Sequence, residues 1–188
     1  AAMLLSRVIE SGTFSYALGG WSAPWGIEYR LDLLNAFVML LVALIGAVVL
    51  AYAPASVARE IAAENQPHFY AAFLLCLTGL LGISITGDAF NVFVFLEISS
   101  LSTYGLISLG RDRRALTAAY NYLILGTIGA TFILIGIGLL YMMSGTLNMA
   151  DLAVRLPAVA DTRTIKVAFA FLTVGLTLKL ALFPLHIW

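Results

Sequence analysis

Residues 31–53 read LDLLNAFVMLLVALIGAVVLAYA, and this stretch decides the class of fold. After Asp32 it holds no charged residue and no proline. A bilayer core is about 30 Å thick, and a helix crosses it with about 20 apolar residues. Helices of soluble proteins average about 11–12 residues and keep a polar stripe toward water. This stretch is longer than that average and has no such stripe. Further segments of the same kind follow at about 69–86, 89–110, 116–143 and 165–183. The expectation is an all-α polytopic membrane protein with about five transmembrane helices over 31–188.

Composition agrees. Of 188 residues, 62% are hydrophobic and 11% charged. Soluble domains are about 45–50% apolar and about 25% charged. Intrinsic disorder, which needs low hydrophobicity and high net charge, is excluded. So is a disulfide scaffold, because Cys76 is the one cysteine. Ten basic residues balanced by ten acidic ones argue against nucleic acid as a partner. No metal-ligand cluster, phosphate loop or nucleophile–base pair is visible, so neither a metal nor a cofactor is expected. The chain opens Ala1-Ala2-Met3 and ends in the apolar run Pro184 to Trp188, which reads as an internal piece of a longer protein.

The remaining features organise the chain. Pro24, Pro54, Pro67 and Pro157 are expected between helices and Pro184 at the end of the last, since a helix interior tolerates proline poorly. Residues 1–30 are expected outside the membrane. There Thr13 to Leu18 tends to alternate, Gly19-Gly20 can turn the chain, and Trp21, Trp25 and Tyr29 suit the headgroup level. This is either a short β-hairpin or an irregular aromatic loop. Arg111, Arg113 and Arg114 share one short loop, which points residues 111–114 to the cytoplasm and residues 1–30 outside.

Most charges fall in loops or at helix ends, where they are cheap. Asp32 and Asp88 sit in first turns, facing the positive end of a helix dipole. Lys166 can snorkel. Two charges do not fit. Glu97 lies about midway between Asp88 and Arg111, in the apolar run Phe90 to Leu96. Lys179 lies about 20 Å beyond Lys166 at the helical rise. A charge at the centre of a membrane helix costs roughly 2.5–3.5 kcal/mol on insertion scales, so such residues face protein or water and pair. Opposite signs make Glu97 and Lys179 natural partners. A static ion pair would pin two helices and nothing more. Because a buried pair is rarely a net stabiliser, proton transfer is the better reading.

Pro184 adds to this. If the helix runs on, the proline leaves the carbonyl of Leu180 without its amide. Such breaks at membrane depth occur inside protein or beside water, and transporters build ion sites there. Alternatively Pro184 simply ends the helix. His186, Ser100 and Thr103 are further candidates for a proton path. A histidine titrates near neutrality, and hydroxyls can hold water. The ordinary uses are also open to them, since membrane serines and threonines more often bond backbone carbonyls or pack helices.

These residues resemble a known family. Residues 86–97, TGDAFNVFVFLE, resemble the glutamate-bearing helix of the antiporter-like subunits of complex I, membrane-bound hydrogenases and Mrp-type cation/proton antiporters. Residues 179–188, KLALFPLHIW, resemble the family's lysine on a discontinuous helix, with the same spacing to proline. Residues 18–27, LGGWSAPWGI, and 145–153, GTLNMADLA, look most like the D-type component of the Mrp antiporters.

The resemblance implies a larger helical bundle with two inverted repeats, of which this chain would hold most of the first. It implies proton translocation by Glu97 and Lys179 in a bacterial or archaeal cell membrane. The expected partners are other membrane subunits, protons, and sodium or potassium. It leaves open a redox-driven pump, in which the chain would be a translocase subunit of an NADH-quinone oxidoreductase or a hydrogenase. A structural subunit with a static pair is the third possibility.

Overall fold

The computed structural model describes residues Ala1–Pro184. Helix α1 (Ala2–Ser11) precedes strands β1 (Phe14–Ala17) and β2 (Glu28–Leu31), which form a two-stranded sheet. Then come α2 (Leu33–Glu60), α3 (Gln66–Ile85), α4 (Ala89–Ser108), α5 (Arg113–Ser144), α6 (Met149–Val159) and α7 (Arg163–Lys179). Among the described residues, four helices are long and apolar enough to cross a membrane, namely α2 to α5. The protein is an integral membrane protein of the all-α class.

The chain divides into two compact units. The first comprises Ala1–Phe14, Arg30–Ile85 and Phe95–Leu123. In it α1 seals one end of α2, where Val8 packs with Leu31, Ala36 and Met39. Side-chain-free positions let the long helices approach. A methyl group on Gly79 would sit 2.7 Å from the Ser99 amide nitrogen and 2.8 Å from the Phe95 carbonyl oxygen, so nothing larger than glycine fits there. Gly82 lies against the Phe95 ring in the same way. Lipid offers helices no hydrophobic reason to associate, so this close packing does the holding.

The second unit comprises Ser15–Tyr29, Thr86–Val94 and the segment beginning at Ile124. Here α5 and α7 meet through small residues. A methyl group on Gly175 would come within 2.7 Å of the Gly129 carbonyl oxygen. Leu140, Ile165 and Ala168 form the buried cluster between them, with Leu156 and Val159 of α6 packed against it. The residues before α4 are knitted to both neighbours. Gly87 donates its amide to the Glu28 carbonyl at 2.9 Å, while Met149 donates to the Gly87 carbonyl and Ala89 to the Leu147 carbonyl, both at 2.8 Å. Asp88 caps α4 by accepting from the Asn91 amide at 2.8 Å.

Several sequence expectations need correcting. Pro54 lies inside α2 rather than after it, and Pro157 lies inside α6. Helix α2 runs on past Pro54 because Ala53, Val57 and Ile61 share a buried cluster with Phe69, Tyr70 and Leu109. Pro157 is held by the packing of its neighbours Leu156 and Val159. The region 145–164 contains a capped helix, with the Asn148 side chain accepting from the Asp151 amide at 3.1 Å. Residues 1–30 contain α1 as well as the hairpin, whose connection from Leu18 to Ile27 is longer than a Gly19-Gly20 turn.

The largest correction is at α7, which stops at Lys179 instead of running to 183. Ala181 adopts the left-handed conformation, with φ of 53°. Its amide donates to the Leu178 carbonyl at 3.4 Å, and the Leu182 amide donates to the Thr177 carbonyl at 3.1 Å. That pair of bonds is the Schellman stop of a helix. The break therefore falls three residues before Pro184.

Two stability predictions follow from these ends. Left-handed backbone costs an L-residue roughly 1–2 kcal/mol, so Ala181→Gly is expected to stabilise the protein by about 1 kcal/mol. Ala181→Val should destabilise it. Thermal denaturation in detergent measures both.

At the other site, burial pushes the Asp88 carboxyl above its usual value of 3.8, against the lowering effect of the amides of Asn91 and Phe90. The folded state thus holds the proton more tightly than the unfolded state. The stability this gives is complete below 3.8 and is lost as pH rises through the raised value. Asp88→Asn keeps a capping oxygen without the charge. It should match or exceed the wild-type midpoint at neutral pH, and the advantage should vanish in acid.

Candidate functional site

Helix α4 sets the first half of the site. The contacts of Gly79 and Gly82 with Phe95 and Ser99 fix its register against α3. Glu97, in the middle of this helix, is half-buried, and Ser99, Ser100 and Tyr104 beside it are buried. Most hydroxyls of α4 return to their own helix. Ser99 donates to the Leu96 carbonyl at 3.0 Å, Ser102 to Ile98 at 2.6 Å and Thr103 to Ser99 at 2.8 Å. Thr103 also touches the Cys76 sulfur at 3.5 Å. It is six positions beyond Glu97, off the glutamate's face of the helix, and its proton is committed to backbone.

Ser100 is on the glutamate's face, one turn along. Tyr104, one turn further, shares that face, because residues three, four and seven apart align. The sequence reading passed over it. The signal was available in the spacing of Glu97, Ser100 and Tyr104, but a tyrosine near a helix end is more often a headgroup anchor. Its exposure of 6% excludes that use. Its ring meets the Tyr122 ring edge-on at 4.7 Å.

Helix α7 sets the second half. Lys179 is its last residue and is half-buried. The stem of the lysine runs by Gly129 of α5. A methyl group there would meet the Lys179 Cγ at 3.7 Å and the Leu178 Cβ at 3.1 Å. The carbonyl end of a helix favours a cation, and the stop at Ala181 puts Lys179 in the last turn of α7. Pro184 follows in the chain, beyond the stop. His186 lies outside the described residues.

Glu97, Ser100 and Thr103 thus belong to the first unit, and Lys179 and Pro184 to the second. Chemically, the arrangement offers one carboxylate within an apolar helix and one amine at a helix terminus. Both groups can bind and release a proton.

Comparison with known proteins gives the family. Residues 86–188 match the family model described as NADH:quinone oxidoreductase/Mrp antiporter, transmembrane. The whole chain is 47% identical to the N-type component of NADH-quinone oxidoreductase from Desulforudis audaxviator, over 37% of that protein. It is 33% identical over its whole length to the D-type component of the Na(+)/H(+) antiporter from Bacillus subtilis, over 38% of that protein. Among solved structures, a chain of the membrane-bound sulfane sulfur reductase, an archaeal respiratory membrane complex, superposes with a TM-score of 0.85 at 32% identity, covering all of this chain and 38% of the other. A chain of the Mrp complex from Dietzia superposes with a TM-score of 0.81 at 28% identity, covering 98% of this chain and 34% of the other. For respiratory complex I of Thermus thermophilus the TM-score is 0.68 at 27% identity, covering 100% and 37%. The chain therefore spans under two fifths of the length of each of these relatives. It belongs to the NADH:quinone oxidoreductase/Mrp antiporter transmembrane family.

Proposed function

We propose that this chain is the glutamate- and lysine-bearing part of a subunit that moves protons across a cell membrane. Lys179 is the carrier and Glu97 modulates it. The observation that carries this reading is the ending of α7 on Lys179. A helix that stops inside an apolar stretch leaves its last carbonyls to be met by protein or water, and water is what a proton carrier needs. When the carboxylate of Glu97 is near, it stabilises the ammonium. When it withdraws, Lys179 gives its proton to water and becomes a neutral amine, which the next proton reloads.

The driving force is read as exchange with sodium or potassium in an Mrp-type antiporter. The resemblance of residues 18–27 and 145–153 to the D-type component supports this, as do the antiporter relative from Bacillus subtilis and the TM-score of 0.81 against the Mrp complex. A second reading is supported by the 47% identity with the N-type component of an NADH-quinone oxidoreductase. In that reading the same charges serve a pump driven by electron transfer. In both, residues 1–30 lie outside, 31–188 form part of a larger bundle with inverted repeats, and the arginine loop 111–114 is cytoplasmic. Other membrane subunits complete the complex.

In membrane vesicles carrying the full complex, Lys179→Ala and Glu97→Ala should each lower proton transport at least about tenfold with assembly unchanged. Normal transport by Lys179→Ala would remove the lysine as carrier. Full activity of a variant with both charges neutralised would leave only a static pair. Proton movement on a sodium or potassium gradient, without an electron donor, is the expected behaviour of the antiporter. Strict dependence on NADH oxidation would establish the second reading instead.

A further inference from the structure

Tyr104 is a buried polar group that the mechanism above does not use. Its ring packs edge-on against Tyr122, with an interplanar angle of 84°. A phenylalanine would make the same contact, so packing does not explain the hydroxyl. Its exposure is 6%. The hydroxyl lies beside that of Ser100, which stands one turn back on the same face of α4 as Glu97. Among the described residues it completes no well-formed hydrogen bond. A buried hydroxyl left in that condition is costly, and in proteins a water molecule with several polar partners commonly resolves it.

The placement adds direction. Glu97 and Tyr104 are about 10 Å apart along the helix axis, too far for direct transfer. Long helical side chains lean toward the N-terminus, which carries the Tyr104 hydroxyl back toward Ser100 and Glu97. One turn beyond Tyr104, Ser108 extends the same face toward the Arg111 loop. Its own proton is committed to the Gly105 carbonyl at 2.7 Å, so it marks the direction of the face and is no link of the relay. Tyr122 lies against the Tyr104 ring and Cys76 beside Thr103, and Arg111 and Tyr70 stand at the far end of the same unit.

We propose that Ser100 and Tyr104, bridged by water, form a hydroxyl relay that passes protons between Glu97 and the Arg111 end of α4. This rests on the proton-carrying reading of Glu97. Each oxygen in the relay accepts a proton on one side and releases its own on the other. No charge accumulates, and reorientation of the hydroxyls restores the starting state. Tyr104 and Ser100 are positioning and relay groups; the carboxylate remains the exchanging site.

The test uses the full complex in membrane vesicles. Tyr104→Phe keeps the ring and its contact with Tyr122 and removes the oxygen. It should lower proton transport about tenfold, the usual scale for one lost hydrogen-bonded link, with an unchanged thermal midpoint. It should enlarge the slowing of transport in deuterium oxide. In difference infrared spectra it should shift the protonated-carboxyl band that disappears in Glu97→Gln. Ser100→Ala, which leaves the tyrosine intact, should reproduce these effects and decides the matter if the phenylalanine variant fails to assemble. Wild-type rates with an unshifted carboxyl band in both variants overturn the relay. If Glu97→Ala and Lys179→Ala also transport normally, the functional reading itself falls; if those two are inactive, only the relay does.

Discussion

A backbone amide or carbonyl that leaves its helix inside hydrocarbon has no water to turn to, and each one stranded costs several kcal/mol. Where a membrane helix stops is therefore a strong constraint on everything around it. Helix α7 stops on Lys179, and the turn that follows keeps the amides engaged. The amides of Leu180, Ala181 and Leu182 return to the carbonyls of Leu176, Leu178 and Thr177. The turn needs a left-handed residue, and this chain places Ala181 there, where glycine would be unstrained. Local strain accompanies a helix that ends on its lysine, so the cationic residue stands in the last turn of α7.

Close packing gives that helix end a rigid support. Gly175 meets the Gly129 backbone, and Gly136 receives the Leu172 side chain, which together set α7 on α5. In the first unit Gly79 and Gly82 do the same for α3 and α4. Packing of this kind fixes the backbone positions of Glu97 and Lys179 within their own units. Motion at these sites then belongs to the flexible parts, the two methylenes of the glutamate and the four of the lysine.

The long helices were legible because hydrophobic runs of bilayer length have few other uses. Glu97 and Lys179 were legible for the converse reason, as charges where none is cheap. Helix α6 was missed although Met149, Leu152, Leu156 and Val159 follow a helical period behind an Asn148 cap, because Pro157 was read as a boundary. Pro54 misled in the same way. Proline disfavours a helix interior by about 3 kcal/mol, which the buried cluster of Ala53, Val57 and Ile61 outweighs. No residue type announces the stop of α7. It comes from backbone bonds around an alanine, where the sequence reading looked to Pro184.

The hydroxyls of α4 show why face matters more than count. Ser99, Ser102 and Thr103 spend their protons on carbonyls three or four residues back. A hydroxyl held that way satisfies the helix and is a poor proton conductor, since each hop would first have to break a backbone bond. Ser100 and Tyr104 share the side of the helix that carries Glu97, and the Tyr104 hydroxyl is buried there without a well-formed partner among the described residues. The same residue types thus divide by angle around one helix, and the face matters more than the number of hydroxyls. The Glu97 carboxylate lies on the same side of α4 as Ser100 and Tyr104.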